Sequence, residues 1–165
     1  MRTYALFHKI LLLSMGIILF QSLHGQVVEY KHPLFDVGFM ASPSWEQELH
    51  DNNGKIFQVT NPNNNMRINL SFIPDCRNPQ KYMKRISGMK GLICPNRPYD
   101  TLLNNKKAVI MSGMCLQARE PFRRLVIGIP DNAGLYLIEF CCPEDCYVNH
   151  QSRLHSIMGS IKVGA

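Results

Sequence analysis

Residues 134–142 read GLYLIEFCC, and apart from Glu139 both alternating sets within them are apolar or small. Leu135 and Leu137 fall on one face of an extended chain, and Tyr136, Ile138 and Phe140 on the other. A strand that faces water on one side alternates apolar with polar residues, whereas one apolar on both sides is covered on both. KKAVIMSGMCLQ, residues 106–117, behaves alike. There Ala108, Ile110, Ser112, Met114 and Leu116 alternate with Val109, Met111, Gly113 and Cys115, all largely apolar or small. Between the two lies a third strand, PFRRLVIGI at 121–129. ARE at 118–120 and PDNAG at 130–134 suit antiparallel reversals. Three antiparallel strands, the first and third covered on both faces, form the centre of the fold.

Working outward, FDVGFMASPSW (35–45) predicts a short strand from Phe35 to Met40, ended by Pro43. DNNG at 51–54 and NPNNN at 61–65 are turn sequences, because Asn and Gly tolerate positive φ. KIFQVT (55–60) and MRINLSFI (66–73) are the strands beside them. Asn78-Pro79 then starts a helix, with Asn as cap and Pro at the first helical position. Tyr82, Ile86 and Met89 share one face of it, Lys81, Lys84 and Arg85 lie off that face, and Gly88 or Gly91 ends it. A last helix starts at Pro143, with Tyr147, Leu154, Ile157, Met158 and Ile161 as its buried stripe. The two helices are the covers that the central strands require. The fold class expected is α+β: an antiparallel sheet of about six strands covered by helices on both faces, an α/β/α sandwich.

This order of elements resembles the PsbP-like superfamily, which includes photosystem II extrinsic subunits, a nuclear import factor and many exported bacterial proteins. FDVGFMASPSW near the start and LHSIMGSIKV (154–163) near the end carry the resemblance. Such domains open with a Phe-rich strand leading to a Pro and a Trp, and close on an Ile-x-x-Ser-φ-Lys-φ tail. Here Pro43 and Trp45 stand one residue closer than the usual spacing, with Ser44 where a glycine is usual. The resemblance implies a fold and a non-catalytic role. It carries over no catalytic residue, because the superfamily shares none, and a fold does not by itself give a function.

The first residues set the expected compartment. Arg2, His8 and Lys9 precede an apolar run from Ile10 to Phe20, and Gly25 offers a small residue before Gln26. That pattern is a secretory signal peptide over residues 1–25, followed by a single domain over 26–165. A spanning helix wants about 20 apolar residues, and His8-Lys9 cuts this run short. No stable membrane span is expected after cleavage, and no lipid-anchor cysteine lies near the cleavage point. The chain is expected to be secreted or periplasmic, with an envelope or extracellular partner. Arg2 and Lys9 lie in the leader with no acidic residue, so the net charge of +6 falls to +4 from Gln26 onward. The basic residues concentrate in RNPQKYMKRISGMKGLICPNR (77–97), which contains no acid. An anionic ligand would be met there by Lys81, Lys84 and Arg85. Nucleic acid is not expected, for no interleaved aromatic platform or nucleic-acid motif accompanies the charge.

Six cysteines, three of them in CCPEDCYVNH (141–150), pose the remaining question: metal, thiol chemistry or a staple. Fifteen full pairings exist. Cys115 and Cys141 stand two strands apart in a meander, at about twice the 4.8 Å spacing, beyond the roughly 7 Å that bridged Cα atoms allow. Cys141 and Cys142 point to opposite faces. Cys76 and Cys94 bracket the first helix and pair only if the segment folds back along it. Cys142 and Cys146, about one 5.4 Å turn apart at a helix start, can reach one another, and they are the disulfide expected. A helix N-terminus lowers a thiol pKa, but Glu144 and Asp145 oppose that, and no C-x-x-C occurs. The alternative is a thiol- or metal-dependent protein centred on Cys142, Cys146 and His150. Three turns of one straight helix span about 11 Å, too far for all three to meet one zinc. No G-x-S-x-G, H-E-x-x-H or Gly-rich phosphate loop is found. The function expected is a non-enzymatic binding or accessory domain with no cofactor and no metal.

Overall fold

A computed structural model describes residues 26–50, 56–76, 78–87, 92–93, 96–117 and 120–164. The chain is mostly β. In order it forms β1 (Val28–Lys31), β2 (Val37–Ala41), β3 (Glu46–His50), β4 (Ile56–Asn61), β5 (Met66–Pro74) and α1 (Pro79–Ser87). There follow β6 (Leu92–Ile93), β7 (Tyr99–Leu103), β8 (Lys106–Gln117), β9 (Glu120–Asp131), β10 (Gly134–Pro143), α2 (Glu144–Asn149), α3 (Gln151–Gly159) and β11 (Lys162–Val163). The large sheet runs β3-β4-β5-β10-β9-β8-β6, with β7 also on β8, and β1-β2-β11 form a small second sheet. All pairings are antiparallel.

β10 lies between β5 and β9, with Ile138 opposite Leu70 on one side and Ile127 on the other. Its two faces enter two separate cores, as its sequence requires. Leu135 and Leu137 pack with Val109, Met111 and Val126 beneath Met83 and Ile86 of α1. Tyr136, Ile138, Phe140 and Cys142 pack with Ile68, Leu70 and Ile127 beneath Leu154 and Ile157 of α3. Helices thus lie on both faces, but they are not the whole cover. The second core also takes Tyr30, Val37, Phe39, Ala41 and Val163 from the small sheet. The expected single sheet of about six strands is therefore corrected to an eight-stranded sheet and a three-stranded one.

The small sheet joins the two ends of the described chain. Lys162 and Val163 pair with Gly38 and Val37, so the segments that carried the family resemblance are neighbours in space. Ser160 Oγ accepts the Met40 N–H at 2.8 Å, Asn104 Nδ2 donates to the Ile161 carbonyl at 2.7 Å, and Lys106 Nζ donates to the Val163 and Gly164 carbonyls. β7 carries a signal the expected strands passed over. Asn104 and Asn105 both hold positive φ (50° and 65°), the backbone of a two-residue hairpin turn that asparagine favours. The last helix also differs from expectation. It breaks at His150 (φ −120°, ψ 22°), although no Gly or Pro stands there. The break leaves α2 against the β9–β10 corner and lets α3 lie under β2. The turn expected at 51–54 and the helix stop at Gly88 or Gly91 lie outside the described residues.

Gly134 opens β10 where the Ile73 carbonyl comes closest. A Cβ on residue 134 would stand 2.2 Å from that oxygen and 2.8 Å from Cζ of Phe72. Backbone cannot yield as a side-chain end can, so Gly134→Ala is expected to lower stability by about 1–3 kcal/mol, read as a drop in the midpoint of urea unfolding. An unchanged midpoint would contradict the close β5–β10 approach.

Candidate functional site

The basic face predicted on the first helix is real but divided. Asn78 Oδ1 accepts the Lys81 N–H at 2.8 Å, the capping bond its position implied, and Pro79 takes the first helical position. Met83 and Ile86 are buried against the sheet, which turns Lys81, Lys84 and Arg85 outward. Lys81 and Lys84 share a groove of about 730 Å³ with Arg97, Asn96, Gln80 and Asn78. Arg85 is not among its walls; its guanidinium lies 5.0 Å from the centre of the Tyr82 ring. Arg77 and Lys90 lie outside the described residues.

Two hydrogen-bonded struts hold the groove. Asn96 donates its backbone N–H to the Ser112 carbonyl (2.7 Å) and its side-chain amide to Ser112 Oγ (2.9 Å), which seats residues 96–98 beside β8. Gln80 Nε2 donates to Asp100 Oδ1 at 2.8 Å, tying α1 to β7. Arg97 enters the site because of the first strut, and only its membership of an acid-free stretch signalled it in the sequence. Among the described residues no carboxylate lines this groove. Three cations with side-chain amides between them can receive a phosphate, sulfate or carboxylate group through charge and N–H donors.

A second groove of about 600 Å³ adjoins the first, with Asn78 and Gln80 in the walls of both. Val109 forms its floor on the α1 side of the sheet, beside Ala108, whose side chain belongs to the opposite core; Pro79, Thr101, Leu102 and Pro130 also line it, and its charged residues are Asp100 and Lys107. Leu102 is 68% exposed although it is a large aliphatic side chain.

The cysteine cluster resolves into two thiol neighbourhoods on opposite faces of β10. Cys142 (2% exposed) faces the second core with Cys146 (7% exposed), and the two free thiols interact. Burial chiefly, then the neighbouring Cys146 thiol, pushes Cys142 up to about 12. Burial raises Cys146 as well, with Asp145 adding to it. Cys141 faces the other way, into a small cluster with Cys115 and Phe122. The strand order keeps Cys115 and Cys141 two strands apart, on either side of β9, yet their side chains interact across it. Burial pushes Cys141 up too. The corner is held by Arg123, whose Nε donates to Glu144 at 3.0 Å and whose guanidinium lies 5.1 Å from the Tyr147 ring centre. That pairing holds the Glu144 carboxyl below its usual value.

His150 does not join the pair. It lines a surface cleft of about 720 Å³ with Cys146, Glu144, Asp145 and Glu120, while Cys142 is turned into the core. The expectation of one helical face bearing Cys142, Cys146 and His150 is corrected, for Cys142 belongs to β10 and His150 to the helix break. Among the described residues no group of three His, Cys, Asp or Glu side chains is placed to hold a metal ion. Cys94 lies outside the described residues, and Cys76 is half-buried at the edge of the α1 core.

No family model matches the chain, and no curated protein matches it in sequence. Solved structures do match in fold. The chain is similar to cyanobacterial PsbP (CyanoP) from Synechocystis sp. PCC 6803, with a TM-score of 0.59 and 12% identity over 84% of this chain and 92% of that one. It is similar to LpqN of Mycobacterium tuberculosis, described as involved in cell envelope biogenesis (TM-score 0.55, 11% identity, 85% and 91% covered). A protein of unknown function from Pseudomonas aeruginosa matches at TM-score 0.54 and 12% identity, over 86% of this chain and 99% of that one. The PsbP-like fold expected from the sequence is therefore the fold of this chain. Among the described residues no helix is long and apolar enough to cross a membrane.

The thiol environment has a kinetic consequence. A free cysteine near its ordinary pKa is partly thiolate at pH 8, whereas a thiol near 12 is almost wholly protonated. In the reduced, folded protein, alkylation of Cys142 by iodoacetamide at pH 8 is expected to be slower than that of an unfolded peptide by about a thousandfold. The rate should climb about tenfold per pH unit up to pH 10, as the thiolate fraction does. Peptide-level mass spectrometry reads both, and peptide-like reactivity at Cys142 in the native state would contradict its burial.

Proposed function

We propose that the chain is an exported, non-enzymatic binding or accessory domain whose ligand carries an anionic group, received between Lys81, Lys84 and Arg97. The observation that carries this reading is the groove itself. Three cations and three side-chain amides line it, and among the described residues no carboxylate does. Export rests on the leader pattern of residues 1–25, which lie outside the described residues. The likeness of fold to LpqN, described as involved in cell envelope biogenesis, supports a role in the envelope or outside the cell.

Charge reversal tests the ligand. Lys81→Glu/Lys84→Glu/Arg97→Glu is expected to weaken binding of inorganic pyrophosphate, measured by calorimetry at low salt, by about tenfold or more, from three exposed charge contacts. The same variant should keep its melting temperature within about 2 °C, because exposed substitutions cost little. Unchanged pyrophosphate binding would sink the anionic site, and a large drop in melting temperature would mean that these side chains support the fold.

In an oxidising compartment Cys142 and Cys146 join as a disulfide that ties β10 to α2. So small a loop removes little chain entropy, about 2 kcal/mol before strain, so the bond fixes a corner and is not the main source of stability. Mass mapping of non-reduced peptides from exported protein is expected to return residues 142 and 146 cross-linked. Two free thiols there, or stoichiometric zinc lost on mutating either, would favour the thiol- or metal-dependent alternative.

A further inference from the structure

We infer that the anionic group bound between Lys81, Lys84 and Arg97 is the head of a single-chain amphiphile, whose alkyl tail lies in the adjoining groove over Val109, beside Leu102 and Pro130. This rests on the anion-binding reading and deepens it. The two grooves share Asn78 and Gln80, so one ligand spans both without leaving the protein surface. Their chemistry differs as the two ends of an amphiphile differ. The first is cationic and rich in amide donors. The second offers Pro79, Leu102, Val109 and Pro130 as apolar walls between its polar residues, and its volume of about 600 Å³ falls in the range of small-molecule sites.

Charge sets the orientation. Asp100 faces the second groove, where an anionic head would meet its carboxylate, and the nearby Lys107 leaves that groove close to neutral. The first groove holds three positive side chains and no negative one. The head therefore goes to Lys81, Lys84 and Arg97, and the tail passes the Gln80–Asp100 hydrogen bond towards Pro130. Leu102 gains a reason for its exposure. It stands opposite Lys107 in the β7–β8 register, on the face that α1 covers, and its side chain would close over the tail. A tail buried there excludes water from apolar carbon, worth about fourfold in affinity per methylene.

The experiment compares dodecyl phosphate, held below its micelle concentration, with inorganic pyrophosphate on wild type, Leu102→Glu and the triple charge-reversal variant. Dodecyl phosphate is expected to bind wild type at least about 100-fold more tightly than pyrophosphate, equivalent to three or four buried methylenes. It should also shift the Val109 methyl resonances. Leu102→Glu, an exposed change that leaves the fold intact, should weaken dodecyl phosphate at least about tenfold and leave pyrophosphate unaltered. Charge reversal should weaken both. Equal affinity for the two probes, unmoved Val109 methyls, or indifference to Leu102→Glu would overturn the amphiphile while leaving the anion site standing. Binding of dodecyl phosphate that charge reversal does not touch would overturn the anion site as well. Wild-type binding only to anionic phospholipid vesicles, with none to the monomer, would assign the face to a bilayer surface and likewise overturn the inference.

Discussion

The fold depends on one constraint: β10 is apolar on both sides, and neither side can be left to water. Ile138, Phe140 and Leu135 have essentially no exposure. Each side therefore needs its own cover, and the two covers are unlike. On the α1 side a single amphipathic helix suffices, because Met83 and Ile86 reach the small patch made by Val109, Met111, Val126, Leu135 and Leu137. The other side is larger and richer in aromatics, and one short helix cannot close it. Phe39, Tyr30 and Val163 complete it from a second sheet and Trp45 from the loop before β3, with the Tyr30 hydroxyl bonded to the Ser42 and Trp45 carbonyls.

The candidate site follows from the thinner cover. A helix of nine residues lies over a sheet wider than itself, so grooves remain between α1 and the β6–β7–β8 edge. Those grooves are where Lys81 and Lys84 meet Arg97, and where Leu102 stands exposed. The opposite face, closed by a sheet and α3, spends its polar groups on joining chain ends: Ser160 to Met40, Asn104 to Ile161, Lys106 to the last carbonyls. The two faces differ: one closes the fold, and the other leaves grooves open at the surface.

The cysteines show how environment decides chemistry. A thiol at a helix start is a candidate for activation by the helix dipole. Cys142 stands two residues before such a start, yet it belongs to a buried strand, and burial outweighs the dipole. Cys115 and Cys141 make the complementary point. They stand two strands apart, on either side of β9, but side chains of one sheet face lean together over Phe122 and interact.

Much of this was written locally. The central meander, the helix cap at Asn78 and Pro79, the strands at 56–61 and 66–74, and the outward turn of Lys81 and Lys84 all follow from periodicity and turn chemistry, which act over a few residues. The opposed faces of Cys141 and Cys142 follow from the two-residue period alone. What tertiary structure decided is everything that depends on distant partners. β11 is two residues long and exists only because β2, more than 120 positions earlier, offers it an edge. β3 is an exposed strand, recruited by β4 and not by any apolar pattern of its own. The break at His150 answers to two docking surfaces that α2 and α3 must satisfy at once. Arg97 joins Lys81 and Lys84 because Asn96 is bonded to Ser112, and Arg85 leaves them because Tyr82 holds its guanidinium. Local pattern specifies which way a residue points; only the packed fold specifies what it points at.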